Sequence, residues 1–470
     1  MTRDALGDCL ARSVNKQYAS LGANGKPRAR TNGVSSWTIL AGFCLYRDSR
    51  DAVQTHCVSI GTGLKALPHS KLPVHGDVLH DSHAEIIARR GLKLWLYEQL
   101  DRAVRGDESS FLERTGDARW TLRDGWKLGL WISTLPCGDA STYSLSLAAP
   151  CREDSSISTT SRSKSLPDQP DSPASDHASL QAAAALGLIT TRTASLSLSP
   201  PDPSTSSLAS STPSTSLVHR GRVAYDSFST LRTKPGRADS LPTTSHSCSD
   251  KIAMWSLVGV QGALLSNLGV RVYVSYVAVS GIEGGRDERE KVRGEVRRAI
   301  GGRLEGWSGP RGERVQVPEV GLTSEVEFEH SREVVAKSVG VRAEDVASCQ
   351  ESLSWIETIG TEVVTNGIRQ GASPKRKAGE PLGPKARSRL SKLSLFQRHL
   401  EVARALGSES ASGPRTNHQA KHADDPGNAT SDYQRHKAAV RDGPFKGWLV
   451  SGKEWEDFDE RGKVAVGSIG

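Results

Sequence analysis

A layered α/β fold is predicted for this 470-residue chain by three features of its sequence. Apolar, β-branched and aromatic runs of strand length stand on both sides of a long low-complexity stretch. Runs with helical apolar spacing lie between them, and strand and helix alternate in chain order, the pattern that layers helices on a sheet.

The first strands are WTILAGFCLY (Trp37–Tyr46) and WKLGLWISTL (Trp126–Leu135), both apolar enough to be buried. Between them HAEIIARRGLKLWLYEQL (His83–Leu100) is interrupted only by Gly91 and reads as a helix that Asp81 or Ser82 can cap. From Cys151 to about Val218 the composition falls to Ser, Thr, Pro and Ala, too poor in large apolar groups to offset ordering entropy. Order resumes near Val223. SDKIAMWSLVGVQGALLSNL (Ser249–Leu268) is then expected as a second buried helix running into the strand RVYVSYVAV (Arg271–Val279). Residues 1–150, 220–370 and 426–470 therefore read as parts of one domain, 152–219 as a disordered insertion, and 371–425 as a flexible basic and polar segment. SLFQRHLEVARAL (Ser394–Leu406) is a possible short helix inside that last segment. No internal repeat is found.

Composition narrows the function classes. A net charge of +8 and a pI near 9.1 suit a phosphate-rich partner. No run reaches the roughly 20 apolar residues of a membrane span, and the first residues lack a secretory apolar core. A soluble, intracellular protein of cytoplasm or nucleus is expected, neither secreted nor bound to membrane. Seven cysteines, an odd number spread thinly, fit reduced thiols better than a disulfide framework.

Three short motifs carry chemistry. Hydrolytic zinc deamination needs three protein ligands, an open position for water, and a carboxylate that relays protons without binding metal. His83-Ala84-Glu85 sets an imidazole and a carboxylate side by side at a helix start. Pro136-Cys137 follows a strand and precedes a helix-compatible run, where helix polarity and metal both favour a thiolate. Ala140 occupies the place of the second sulfur in a P-C-x-x-C motif, so that ligand must come from elsewhere. Cys248, immediately before a strong helix, is the best candidate, with Cys151 its competitor and His246, His75 and His80 as nearby alternatives.

With these residues in view, the chain resembles the adenosine deaminases acting on RNA, and more closely their tRNA-specific branch. The matching segments are SIGTGLK (Ser59–Lys65), HDSHAEIIARR (His80–Arg90), LPCGDAS (Leu135–Ser141), RTKPGRADS (Arg232–Ser240) and SCSDKIAMWSLVGVQGALLS (Ser247–Ser266). GKP (Gly25–Pro27) and a looser tail from Asp432 to Phe458 extend the similarity to both ends, skipping the insertion. The resemblance implies a cytidine-deaminase-like core, a mixed sheet flanked by helices. It implies hydrolysis of adenosine to inosine, with His83, Cys137 and Cys248 on zinc and Glu85 shuttling protons. It further implies a tRNA substrate, the adenosine just 3′ of the anticodon in tRNA for alanine, and a buried inositol hexakisphosphate. Arg89, Arg90 and Lys251 match the cage of that anion, and Tyr433, Lys437 and Trp448 are matches in the tail. The position three after Lys251, basic in related editing enzymes, is Met254. Arg89 and Arg90 on an otherwise apolar helix fit burial against an anion. Lys65, Arg232, Lys234 and Arg237 are candidates for RNA phosphate contacts. No DNA partner is expected, and the sequence leaves oligomeric state open.

Three rival readings remain. A messenger RNA editase would ordinarily add a double-stranded-RNA-binding domain, and no segment is left over for one. A non-catalytic zinc-containing RNA-binding subunit would have no use for Glu85, and a cytosine deaminase would share the metal machinery but differ in the pocket.

Overall fold

In a computed structural model of the chain, the described residues are 3–29, 33–48, 53–116, 119–148, 218–222, 227–236, 240–310, 315, 317–324, 326–407, 416–422 and 429–464. The low-complexity insertion, apart from its last residues, lies outside them.

Helices α1 (Arg3–Ser20) and α2 (Ala84–Val104) cover opposite faces of one sheet. The central strand, β1 (Leu40–Asp48), shows why. Ala41, Phe43 and Leu45 join the apolar cluster under α2, while Leu40, Cys44 and Tyr46 join the one under α1. That alternation is the two-residue period of a strand buried on both sides.

Around β1 the remaining strands follow in chain order: β2 (Val53–Thr62), β3 (Leu64–Ala66), β4 (Asp81–His83), β5 (Leu112–Arg114), β6 (Trp120–Leu122), β7 (Lys127–Ile132), β8 (Val218–Arg220), β9 (Leu231–Thr233), β10 (Val274–Val279), β11 (Glu319–Leu322), β12 (Glu351–Ile356), β13 (Gly360–Thr365) and β14 (Ile368–Arg369). Seven of them join β1 in the eight-stranded main sheet, in the order β11-β10-β7-β1-β2-β12-β13-β14. β10 runs parallel to both β7 and β11, and the other pairings are antiparallel, so the sheet is mixed, as expected. The further helices are α3 (Asp139–Ala148), α4 (Cys248–Val258), α5 (Gly262–Asn267), α6 (Arg286–Gly301), α7 (Arg332–Val339), α8 (Lys392–Ala405), α9 (Asn417–His422) and α10 (Ala429–Asp442).

Three local expectations are corrected. Neither Asp81 nor Ser82 caps α2; the N-cap is His83, without a side-chain cap, because the Asp81 carboxylate is committed to His83 and two lysines. The helix expected over 249–268 is two helices, broken at Gly259, whose φ of +80° is outside the helical range. The strand expected from Arg271 begins at Val274.

Helix α2 lies unusually close to β2. A Cβ on Gly61 would collide with the backbone at Ala84 and Ala88, so glycine there lets the first turn of α2 settle onto the sheet. Among the described residues no helix is long and apolar enough to cross a membrane.

Candidate active site

The sequence-predicted ligands meet at the ends of three elements. β4 pairs with β3 in the register Leu64↔His83 and ends at His83, from which α2 departs. Cys137 follows β7 and precedes α3, and Cys248 is the first residue of α4. Two thiols thus stand at helix N-termini, where unsatisfied backbone N–H groups favour negative charge.

The loops holding these sulfurs are stitched together. The backbone N–H of Cys248 donates to Cys137 Sγ at 3.3 Å. Ser249 donates from its hydroxyl to the Cys137 carbonyl at 2.9 Å and from its backbone N–H at 3.0 Å, and its Oγ accepts from Ala140 N–H. Gly138, with φ of +100°, leaves room for Ser247; a Cβ there would strike that side chain. Ser247 also caps α4, accepting from Asp250 N–H.

Cys137 is the hub, in side-chain contact with both Cys248 and His83. The neighbouring Cys248 thiol, then Lys234 and His83, hold Cys137 well below the usual thiol range against burial. Burial and the Cys137 sulfur push Cys248 up. A metal cation bound here would deprotonate both.

Asp81 organises the other side. Its Oδ1 lies 2.8 Å from His83 Nδ1, which leaves Nε2 as the nitrogen for a metal once the ring gives up its proton; against burial and Lys234, the Asp81 carboxylate and the Cys137 contact hold His83 up at about 9. The same carboxylate meets Lys234 Nζ at 2.8 Å, Lys251 Nζ at 2.6 Å and the Ser245 hydroxyl at 2.7 Å. Burial opposes its charge, but Lys234, Lys251 and His83 together keep Asp81 well below the usual carboxylate range. Lys234 then reaches on to Cys248 Sγ at 3.2 Å.

Glu85, in the first turn of α2, is 1 % exposed. Its Oε2 has no hydrogen-bond partner among the described residues. Burial, with the Cys137 sulfur nearby, raises it above the ordinary glutamate value. Leaving a buried carboxyl oxygen unsatisfied costs free energy, which fits a group kept ready for a ligand. One imidazole and two sulfurs are a donor set that suits zinc far better than magnesium or calcium, and the acid beside them is placed to act on a water that such a metal activates.

Behind the site lies a cavity of about 360 Å³ whose walls carry eight basic side chains. Arg89, Arg90 and Lys251, all expected from the sequence, line it, as do Tyr433, Lys437 and Trp448. Lys93, Lys392, Lys421 and Arg441 complete the set and escaped the sequence reading. Lys93 follows Arg89, and Arg441 follows Lys437, at the four-residue spacing of one helix face, a usable signal. Lys392 and Lys421 sit in the segment read as flexible, where nothing local marked them. Burial first, then neighbouring cations, lower Lys392 to about 8 and Lys437 to about 7. Arg89 and Arg90 fall to about 10, and Lys93 well below its usual value. Among the described residues only Asp81 and Glu456 bring carboxylates to these walls, which leaves an excess of positive charge that is costly to bury without an anion. Met254 packs in the apolar cluster containing Leu231 and Tyr433.

Other candidates fall elsewhere. Arg232 and Lys234 are buried, not exposed for RNA: the guanidinium of Arg232 donates to the carbonyls of Gly221 and Ser227, and Lys234 serves Asp81 and Cys248. Lys65 is half-buried and donates to Ser348 Oγ at 2.9 Å. Arg237 and Cys151 lie outside the described residues. His246 stacks on Trp448 at 4.0 Å and accepts from Leu449 N–H, while His75 is engaged with the carbonyl of Gly462. Half-buried His80 lines the basic cavity. A separate cluster, His418, His422 and Glu456, brings its ligand atoms within 4.8 Å of one another, but Glu456 is already paired with Lys421 and Lys392.

The model of the adenosine-deaminase (editase) domain family matches residues 59–451. The mouse tRNA-specific adenosine deaminase 1 is 29% identical over 90% of this chain and 94% of its own length. The human protein of that name is 28% identical over 96% of this chain and 99% of its own. The double-stranded RNA-specific editase Adar of Drosophila melanogaster is 27% identical over 56% of this chain but only 32% of itself.

Proposed function

Because the chain belongs to the adenosine-deaminase (editase) domain family, we propose that it hydrolyses adenosine to inosine in tRNA. In this reading His83, Cys137 and Cys248 hold zinc and Glu85 moves the protons. The observation that carries the chemistry is the buried, unpartnered Oε2 of Glu85 beside the sulfur that joins the other two ligands.

Zinc would supply Lewis-acid activation of a water. The chain's own residues do the rest. Asp81 fixes the His83 tautomer and leaves Nε2 for the metal. Lys234 balances the negative charge of the sulfurs through Cys248. Glu85, with its raised affinity for protons, accepts one from the attacking water and delivers it to purine N1 as C6 is attacked; it then takes the proton of the hydroxyl now on C6 and passes it to the amino group, which leaves as ammonia as the C6 carbonyl of inosine forms. The adenosine must arrive unstacked or flipped, a condition that a tRNA loop meets. Near full-length similarity to tRNA-specific enzymes, against partial coverage of the editase, favours tRNA. Within it, the adenosine just 3′ of the anticodon of tRNA for alanine is the proposed target. Working on tRNA places the protein inside the cell. The basic cavity fits inositol hexakisphosphate, whose phosphates would neutralise Arg89, Arg90, Lys93, Lys251, Lys392 and Lys437.

The test is incubation of the purified protein with tRNA transcripts, reading inosine as guanosine after reverse transcription. Inosine from the wild type, and none from a Glu85→Ala variant that still carries zinc, is the expected result. Uracil from cytosine with no inosine would reassign the substrate, and undiminished activity of the Glu85 variant would overturn the mechanism.

A further inference from the structure

Two carboxylates occupy equivalent places behind the two sulfurs. Asp139 is two residues after Cys137 at the start of α3, and Asp250 is two residues after Cys248 in the first turn of α4. Both are fully buried. Each has local partners: Asp139 accepts from Ser229 N–H at 3.1 Å and from Arg298 at 2.8 Å, and Asp250 accepts from Arg232 N–H at 2.9 Å and the Ser247 hydroxyl at 2.7 Å. Among the described residues one side chain reaches both.

That side chain is Arg303, in the single 3-10 turn Gly302–Leu304 after α6. Its Nη1 lies 3.1 Å from Asp250 Oδ1 and its Nη2 3.7 Å from Asp139 Oδ2, with only 6 % of the side chain exposed. Nη2 also donates to the Thr230 carbonyl at 3.3 Å, and the guanidinium stands over the Phe445 ring. A planar, permanently charged fork between two buried carboxylates restrains their separation: Asp250 has no other ion-pair partner among the described residues, and Asp139, although also paired with Arg298, is drawn to the same guanidinium.

We propose that Arg303 is a positioning residue for the metal site, setting the spacing between Cys137 and Cys248 by tying the starts of α3 and α4 to one guanidinium. The inference rests on the zinc reading above. A tetrahedral centre tolerates little change in sulfur–sulfur distance, and groups outside the ligand set that orient the ligands strongly affect how tightly metal is held. Near the sulfurs the two loops are already tied by the Cys248 N–H to Cys137 Sγ bond, the Ser249 contacts and the Gly138–Ser247 packing, and Arg303 adds a tie farther along, between the first turns of the two helices. Removing the Arg303 bridge lets α3 and α4 relax apart while each keeps its own fold.

The test compares wild type, Arg303→Leu and Arg303→Lys with Arg293→Leu as control. Arg293 lies on the same α6 and pairs with Asp4 at 2.8 Å, so its loss removes a comparable ion pair away from the sulfurs. Each protein is loaded with cobalt(II) in place of zinc, the thiolate-to-cobalt charge-transfer band is recorded, and metal release to a chelator is timed at a fixed interval below each melting temperature. Both Arg303 variants are expected to show an altered band and release at least about tenfold faster, while Arg293→Leu stays within about twofold of wild type. If Arg303→Leu does not fold, Asp139→Asn/Asp250→Asn/Arg303→Met, which leaves no unpaired charge, is read in its place. A wild-type band and release rate in the Arg303 variants, or an equal loss in Arg293→Leu, would overturn the proposal. A wild type that takes up no metal at all would sink the zinc reading and this inference with it.

Discussion

Lys251 and Asp81 meet at 2.6 Å, and the other oxygen of the same carboxylate lies 2.8 Å from His83 Nδ1. Lys251 also lines the basic cavity. One carboxylate therefore faces the anion site on one side and orients a proposed metal ligand on the other, while Lys234 links it to Cys248. If the basic cavity holds an anion and His83 a metal, the two share this carboxylate, and a change at either is expected to be felt at the other.

Asp81→Asn keeps the shape but removes the charge. Lys234 and Lys251 are then left buried beside a neutral amide, and the imidazole loses its anchoring acceptor. We expect a stability loss of about 3–5 kcal/mol, as for removal of one partner from a buried ion pair. Zinc affinity should fall about 10- to 100-fold. Zinc content after equilibration with a graded chelator, alongside melting temperature, checks both figures.

Glu85→Gln separates stability from activity. The buried acid is strained by its unpaired oxygen, so a neutral amide should raise the melting temperature while tRNA deamination falls by at least about 10²-fold. Zinc content should stay at the wild-type level, since the carboxylate has no ligand role. Because burial raises the pKa of Glu85, the carboxylate form is lost on acidification earlier than for an ordinary glutamate. Activity at limiting substrate should accordingly fall on the acid side. A pH profile in which wild type keeps full activity at the ordinary glutamate value of 4.5 would contradict the base assignment.

The basic cavity predicts an unusual dependence of stability on pH. In the fold Lys437 titrates at about 7 and Lys392 at about 8, against 10.5 for an ordinary lysine. Between those values the unfolded chain carries protons that the fold has released. Without bound anion, stability therefore rises with pH from about 7 towards 10.5, by at most about 1.4 kcal/mol per pH unit for each lysine titrating. The figure is an upper one because both side chains keep some contact with solvent. Inositol hexakisphosphate should restore protonation, raise the melting temperature most near pH 7 and flatten the slope. Thermal melts across this range, with and without the anion, read both effects. Lys437→Met should remove part of the slope and weaken the anion's effect.

How much of this was legible in the sequence follows from the range of the signals. The two-residue alternation in β1 and the helical spacing of α2 are local, so strand and helix were readable there. His83, Cys137 and Cys248 were readable because each stands at a junction of strand or loop with helix. Roles set by tertiary contact were not. Asp81 reads as a cap until Lys234 and Lys251 arrive from segments about 150 residues away. Arg232 and Lys234 read as a polar surface because nothing in RTKPGRADS shows that the carbonyls of Gly221 and Ser227 await the Arg232 guanidinium, or that the buried carboxylate of Asp81 awaits Lys234. Lys392 and Lys421 gain meaning only when α8 and α9 close the cavity.

Gly138→Ala tests the stitching of the two cysteine loops. The position has φ of +100°, and the added methyl would run into Ser247, which caps the helix that begins at Cys248. Backbone strain of this kind costs on the order of 1–3 kcal/mol, a loss that a domain of this size can survive. The displaced Ser247 should, however, carry Cys248 away from Cys137 and break the 3.3 Å bond from Cys248 N–H. The expected variant is folded by circular dichroism, melts a few degrees lower, and holds substoichiometric zinc with activity reduced in proportion. Gly138→Ala with full zinc content would mean that the loop can yield without moving the sulfur, whereas Ser247→Gly in the same background, by removing the obstacle, should recover part of the metal.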